Sequence, residues 1–130
     1  MKILILGDVV GDSGRAALKS KLKEIIINHK INFTVVNGEN AANDGKGITN
    51  DIASELFKLG VDVITSGNHI WDKSETIEFI SKEKRLLRPA NLAEGSPGNG
   101  YGIFEVKNLN LKVAVINLMG NVFMKKTEDV

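Results

Sequence analysis

Three stretches of this 130-residue chain end alike, an apolar run passing through glycine to polar side chains. They are Gly7-Asp8, Gly38-Glu39-Asn40 and Gly67-Asn68-His69. Together they offer two carboxylates, two side-chain amides and one imidazole. Carboxylate and amide oxygens suit hard or intermediate divalent cations such as Mg²⁺ and Mn²⁺. An imidazole is either a ligand for Mn, Fe or Zn or a proton donor. A glutamate set between two positions can bridge two cations, and two cations ~4 Å apart can clamp a phosphoryl group and activate water. Glycine before each polar residue permits a sharp exit and close backbone approach.

Each residue also has a plainer role. Asp8 could cap a turn, Glu39-Asn40 could be a solvated loop, and Asn68 could be a turn residue. His69 could be a partly buried histidine satisfied by a backbone group. The recurrence of the pattern at three successive strand ends is what favours chemistry. Asp72 with Glu75 three residues later reads as a helix N-cap box rather than as a partner that orients His69. His29 reads as a dipole partner at a helix end or a core-edge residue, and Trp71 as packing near the site. Arg88-Pro89-Ala90-Asn91 could reach the same edge. Gly7, Gly11 and Gly14 are spaced G-x3-G-x2-G, which is not the dinucleotide fingerprint, and no Walker P-loop is present.

The elements that must position these residues follow from periodicity. Ile3 to Leu6 is an unbroken apolar run, as expected of a central parallel strand covered on both faces. Leu18, Leu22, Ile25, Ile26 and His29 fall on one face of a helix. Phe33-Thr34-Val35-Val36 is the second strand. Ile52, Leu56 and Leu59 mark a second helix, with Thr49 or Asn50 as its N-cap and Gly60 as its stop. Val61-Asp62-Val63-Ile64 is the third strand, and Ile77 and Ile80 are expected to face inward on a short third helix. After the turn-rich segment 94–100, the runs Ile103 to Val106 and Leu111 to Ile116 form a hairpin through Lys107-Asn108-Leu109-Asn110. The order βαβαβα plus a hairpin predicts an α/β fold. Right-handed crossovers make the strands parallel. Their C-terminal ends then share one sheet edge, where open α/β sheets bind ligands.

Composition sets the outer bounds. Apolar residues make up 42% and charged residues 25%, an ordinary globular balance for a single domain spanning 1–130. With no cysteine, disulfides and thiolate metal sites are excluded. A formal charge of +1 gives no strong signal for nucleic acid or membrane. The first apolar run is too short for a signal peptide, and no segment reaches the ~18 apolar residues of a membrane span. A cytoplasmic location is the expectation.

At these motifs the chain resembles the calcineurin-like metallophosphoesterases, and one branch of them, the YmdB-like phosphodiesterases, in particular. The segments that carry the resemblance are Gly7-Asp8-Val9-Val10-Gly11, Asn37-Gly38-Glu39-Asn40-Ala41-Ala42, Thr65 to Asp72, Arg88-Pro89-Ala90-Asn91 and Val115 to Gly120. Val10 stands where the wider superfamily has histidine, Glu39 where it has aspartate, and Ile70 where it has an acid. The resemblance implies an N-terminal, parallel-stranded half of a layered α/β/β/α sandwich with a trailing hairpin. It implies two divalent metal ions, Fe or Mn, held by Asp8, Glu39, Asn40 and Asn68, with Glu39 bridging. It implies His69 as proton donor to the leaving oxygen. The implied function is hydrolysis of phosphodiesters, including 2′,3′-cyclic nucleotides, by a two-metal hydroxide mechanism. Family members continue further and add three histidine ligands, whereas this chain has two histidines in all, His29 and His69. The chain therefore reads as incomplete at its C-terminus, inactive alone and prone to form homo-oligomers. The main rival reading is a truncated, non-catalytic remnant that binds a metal or phosphate as an interaction module, and a second is a flavodoxin-like binding module using the same sheet edge.

Overall fold

The computed structural model describes residues 1–120 and Val122. Four strands, β1 (Ile3–Leu6), β2 (Phe33–Asn37), β3 (Val63–Thr65) and β4 (Leu86–Leu87), form a parallel sheet in the order β1-β2-β3-β4. Helices α1 (Gly11–His29), α2 (Asn50–Lys58) and α3 (Ser74–Lys82) connect them. Strands β5 (Tyr101–Glu105) and β6 (Lys112–Ile116) make a separate antiparallel hairpin. The expected α/β architecture is thus present as helices, parallel sheet and hairpin in three layers.

Each face of the parallel sheet has its own core. On one face Val36, Ile64 and Leu86 pack with Leu22 of α1, Ile52 and Leu56 of α2 and Ile80 of α3. On the other, Phe33, Val35, Val63 and Leu87 pack with Val106, and Phe104, Val113 and Val115 of the hairpin close over them. Burial of each such aliphatic side chain contributes roughly 1.5–3 kcal/mol. Both layers are needed because β2 is apolar on both faces. β1 is different: among the described residues it is the edge of the sheet rather than the central strand expected, with Ile3 and Ile5 42% and 74% exposed. An unbroken apolar run does not distinguish the two positions, because the strand's own residues are the same in either place.

The helix ends follow local chemistry. Thr49 caps α2, its hydroxyl accepting from Ile52 N–H at 3.3 Å, and Gly60, at φ +106°, turns the chain after it. On α3, Thr76 and Ile80 are buried while Ile77 is 44% exposed, contrary to the inward placement expected for it. The Thr76 hydroxyl donates to the Ile48 carbonyl at 2.6 Å, which turns that face of the helix to the core. β3 begins two residues later than Val61, and β4 was too short to show any periodicity. His29 is exposed at the end of α1 rather than at the core edge. No helix among the described residues is long and apolar enough to cross a membrane.

Candidate active site

The register pairs Leu6 with Val36 and Asn37 with Thr65, so β1, β2 and β3 release the chain at neighbouring points on one edge. Asp8 leaves β1 with φ +40°, a left-handed conformation that costs a non-glycine residue energy. The surroundings hold it there. Val9 N–H donates to the Asn37 carbonyl at 3.0 Å, and Gly11 N–H to the Asn40 carbonyl at 2.9 Å. Asn40 Nδ2 donates to Asp8 Oδ1 at 2.9 Å, which orients that carboxylate.

Glu39 lies half-buried beside them, its own N–H donating to Asn37 Oδ1 at 3.2 Å. Its carboxyl pKa is raised. Burial is the main cause; the His69 imidazole pulls it down and the Asp8 carboxylate pushes it up. Asp8 and His69 are therefore each within electrostatic reach of Glu39. Gly67 is fitted to this arrangement, because a Cβ there would overlap the Glu39 carboxylate outright. Asn68 follows, exposed, at the start of a 3-10 turn, Asn68–Trp71, anchored by the fully buried Ile70. Trp71 packs partly buried against the helix-side core, as expected.

His69 Nδ1 stands 2.7 Å from Asp72 Oδ2. A carboxylate accepts only, so Nδ1 carries the proton and Nε2 is left for another partner. This corrects the helix-cap reading of Asp72 and Glu75. α3 starts at Ser74 with Lys73 as its N-cap and no side-chain cap bond, and Glu75 Oε1 instead accepts from Asn50 N–H at 2.9 Å, tying α3 to α2. The same three-residue spacing that suits a cap box also lets Asp72 reach back to His69.

A second set of contacts supports the loops from behind. Arg15 on α1 donates to the Ala41 carbonyl, to Asp12 and, at 2.8 Å, to Asn43 Oδ1. Lys73 bonds Asp44 at 2.7 Å and holds that carboxyl below its ordinary value. Gly47, at φ +75°, lies so close that a Cβ would stand 2.9 Å from the His69 carbonyl. Arg88 leaves β4 at the same edge, but its Nη1 donates at 2.8 Å to the adjacent Pro89 carbonyl. A concavity of about 420 Å³ lined by Ala42, Asn43, Asp44, Thr49, Ile52 and Lys73 borders these loops.

The donor set fits a hard or intermediate divalent cation in kind. Two mutually repelling carboxylates, one with raised proton affinity, gain from a cation between them. In number it is short: among the described residues no three His, Cys, Asp or Glu side chains close on one point. Asp8, Glu39 and the amide oxygens of Asn40 and Asn68 are the groups that could hold one.

The chain is 46% identical over 129 residues to the 2′,3′-cyclic-nucleotide 2′-phosphodiesterase of Bacillus subtilis, covering 99% of this chain and 48% of that protein. Its fold is similar to the crystal structure of a novel phosphatase from Mycoplasma pneumoniae, with a TM-score of 0.89 and 32% identity over 99% of this chain and 47% of the other. It is equally similar to a hypothetical protein from Thermus thermophilus, with a TM-score of 0.90 and 33% identity, covering 99% and 49%. The chain thus spans about half the length of each. The sequence matches the family described as YmdB-like protein over residues 4–130, and the chain belongs to that phosphoesterase family.

Proposed function

We propose that the natural full-length protein is a metal-dependent phosphodiesterase whose substrates include 2′,3′-cyclic nucleotides. The observation that carries this reading is the convergence of the Asp8 and Glu39 carboxylates with an Asp72-oriented imidazole on one sheet edge. The name of the Bacillus subtilis relative supports the substrate class.

In this reading Asp8, Glu39, Asn40 and Asn68 would be the groups of this chain that hold the divalent cations, Fe or Mn. When bound, such cations neutralise charge on the phosphoryl oxygens and activate water. Asn40 fixes the rotamer of Asp8 through its Nδ2. His69 donates its Nε2 proton to the departing ester oxygen as the P–O bond breaks and water oxygen bonds to phosphorus. Asp72 keeps Nδ1 protonated and the ring oriented, and it stabilises the charged imidazolium. A cyclic phosphodiester would open in this way to a phosphomonoester and a free hydroxyl. Residues 1–130 by themselves, short in ligands, are expected to bind cations weakly and to turn over negligibly.

The test is turnover of 2′,3′-cyclic AMP and bis-nitrophenyl phosphate by the natural full-length protein, with Mn²⁺ or Fe²⁺ and with chelator. Chelator-sensitive hydrolysis that needs His69 most for the poor leaving group is expected. Hydrolysis indifferent to chelator would overturn the metal-dependent reading, and no hydrolysis of either diester under any metal would overturn the activity.

A further inference from the structure

We propose that Asn117 is a positioning residue for the Gly67-Asn68-His69 turn; the proposal rests on the phosphodiesterase reading above. The sheet ladder ends at Thr65, which pairs with Asn37 on one side and Leu87 on the other. Ser66 is the next residue, and its carbonyl belongs to the peptide that leads into Gly67, where the chain turns toward Asn68. Among the described residues no rung of the ladder reaches it. Asn117, the first residue after β6 and 8% exposed, supplies the missing donor. Its Nδ2 donates to the Ser66 carbonyl at 2.8 Å and to the Leu87 carbonyl at 3.1 Å. Ser66 Oγ adds a bond to the same Leu87 carbonyl at 2.8 Å.

The carboxamide is itself held firmly. Asn117 N–H donates to the Gly100 carbonyl at 2.9 Å, and its own carbonyl accepts from Ala90 N–H at 2.7 Å. Two residues on, Met119 exchanges bonds of 3.0 and 2.7 Å with the side chain of Asn91. Residues 117–119 therefore form a strap across the ends of β3 and β4. Only a group with two forked protons can serve both carbonyls; aspartate has no proton to give and leucine has none. The hairpin has separate apolar anchors in Phe104, Val106, Val113 and Val115, so its seat does not depend on this amide. What the amide controls is the tilt of the Ser66–Gly67 peptide. Gly67 lies against the Glu39 carboxylate with no room for a further atom, so that tilt sets the spacing of Glu39 from Asn68 and His69.

The experiment compares Asn117→Leu, Asn117→Thr and Val113→Ala in the natural full-length protein. Asn117→Leu keeps the size and loses both donors, Asn117→Thr keeps one donor, and Val113→Ala loosens the hairpin's apolar seat but keeps the amide. Two quantities are read: Mn²⁺ affinity by electron paramagnetic resonance of free Mn²⁺, and amide chemical shifts of Gly67 to His69 in the metal-free protein. Asn117→Leu should weaken Mn²⁺ binding by ~10–100-fold, the size of a typical loss of an outer partner. It should also move the Gly67–His69 resonances, with Asn117→Thr intermediate. Val113→Ala, at a comparable loss of melting temperature, should leave both readouts in place. If Asn117→Leu does not fold, Asn117→Thr against Val113→Ala carries the comparison. Unmoved resonances in the Asn117 variants, or equal losses in Val113→Ala, overturn the positioning role. Wild-type protein that binds no Mn²⁺ overturns the metal reading instead, and the metal-free resonances then decide the positioning role on their own.

Discussion

Replacing Gly67 by alanine isolates the Glu39 carboxylate without touching any ionisable group. The new Cβ would stand 3.0 Å from Glu39 Oε1 and inside the space of the other carboxylate atoms. Restoring ordinary contact requires the carboxylate to move by on the order of 2 Å. Glu39 is only half-buried and its side chain rotates, so the fold should survive, at a cost of about 0.5–1.5 kcal/mol for a displaced rotamer. Metal coordination is far less forgiving, since ligand distances tolerate only ~0.2 Å. If Glu39 holds a cation as proposed, a carboxylate oxygen displaced tenfold beyond that tolerance no longer reaches it. The expected result is a loss of at least ~10²-fold in Mn²⁺ affinity with nearly unchanged melting. Gly7→Ala is the comparison, because a Cβ at Gly7 meets nothing within 4 Å although Asp8 is its neighbour. Calorimetric titration of both variants with Mn²⁺ in the natural full-length protein reads the difference. Equal affinity in Gly67→Ala and wild type would show that Glu39 does not hold the cation from its observed position. Equal loss in both variants would show that any side chain near this edge is harmful, and the close-approach argument would fail.

Three further outcomes follow from the geometry. Asp72→Asn should keep the metals and slow hydrolysis of poor leaving groups by ~10²-fold, with a smaller loss for nitrophenolate; an equal loss for both, measured as kcat, would remove Asp72 from proton delivery. Glu39 has a folded-state pKa above its unfolded value, so metal-free wild type loses stability relative to Glu39→Gln as pH rises from the unfolded pKa through the folded one. Denaturant melts across that range should show the variant the more stable at neutral pH and the gap closing in acid; a gap that widens in acid contradicts the raised pKa. Leu22→Ala, emptying a fully buried position between α1 and the sheet, should cost ~2–5 kcal/mol in the same melts, and a loss below ~1 kcal/mol would mean that the α1 layer is not the core it is described to be.

The sequence by itself was enough to place Asp8, Glu39, Asn40, Asn68 and His69 at successive strand ends. Each of these strands is a short apolar run, and each exit is marked by glycine followed by a polar group, so the information is local. Helical spacing likewise exposed Leu22, Ile52, Leu56 and Ile80 as core residues; of the two residues offered as the cap of α2, Thr49 or Asn50, only the structure chose Thr49. Tertiary structure alone decided the partners. Asp72 bonds His69 rather than a helix end because a three-residue spacing serves both uses and only the 3-10 turn chooses between them. Among the described residues β1 is the edge strand, and its apolar run cannot encode that, because it would read the same in a central position. Ile77 is exposed because Thr76 found the Ile48 carbonyl, a polar bond that apolar periodicity does not register. Asn117 reaches Ser66 across 51 residues of chain, and a contact of that span depends on how two sheets stack. Local pattern fixes which side chains are buried and where strands end; the stacking of layers fixes which polar groups meet, because hydrogen-bond partners distant in sequence are brought together only by that stacking.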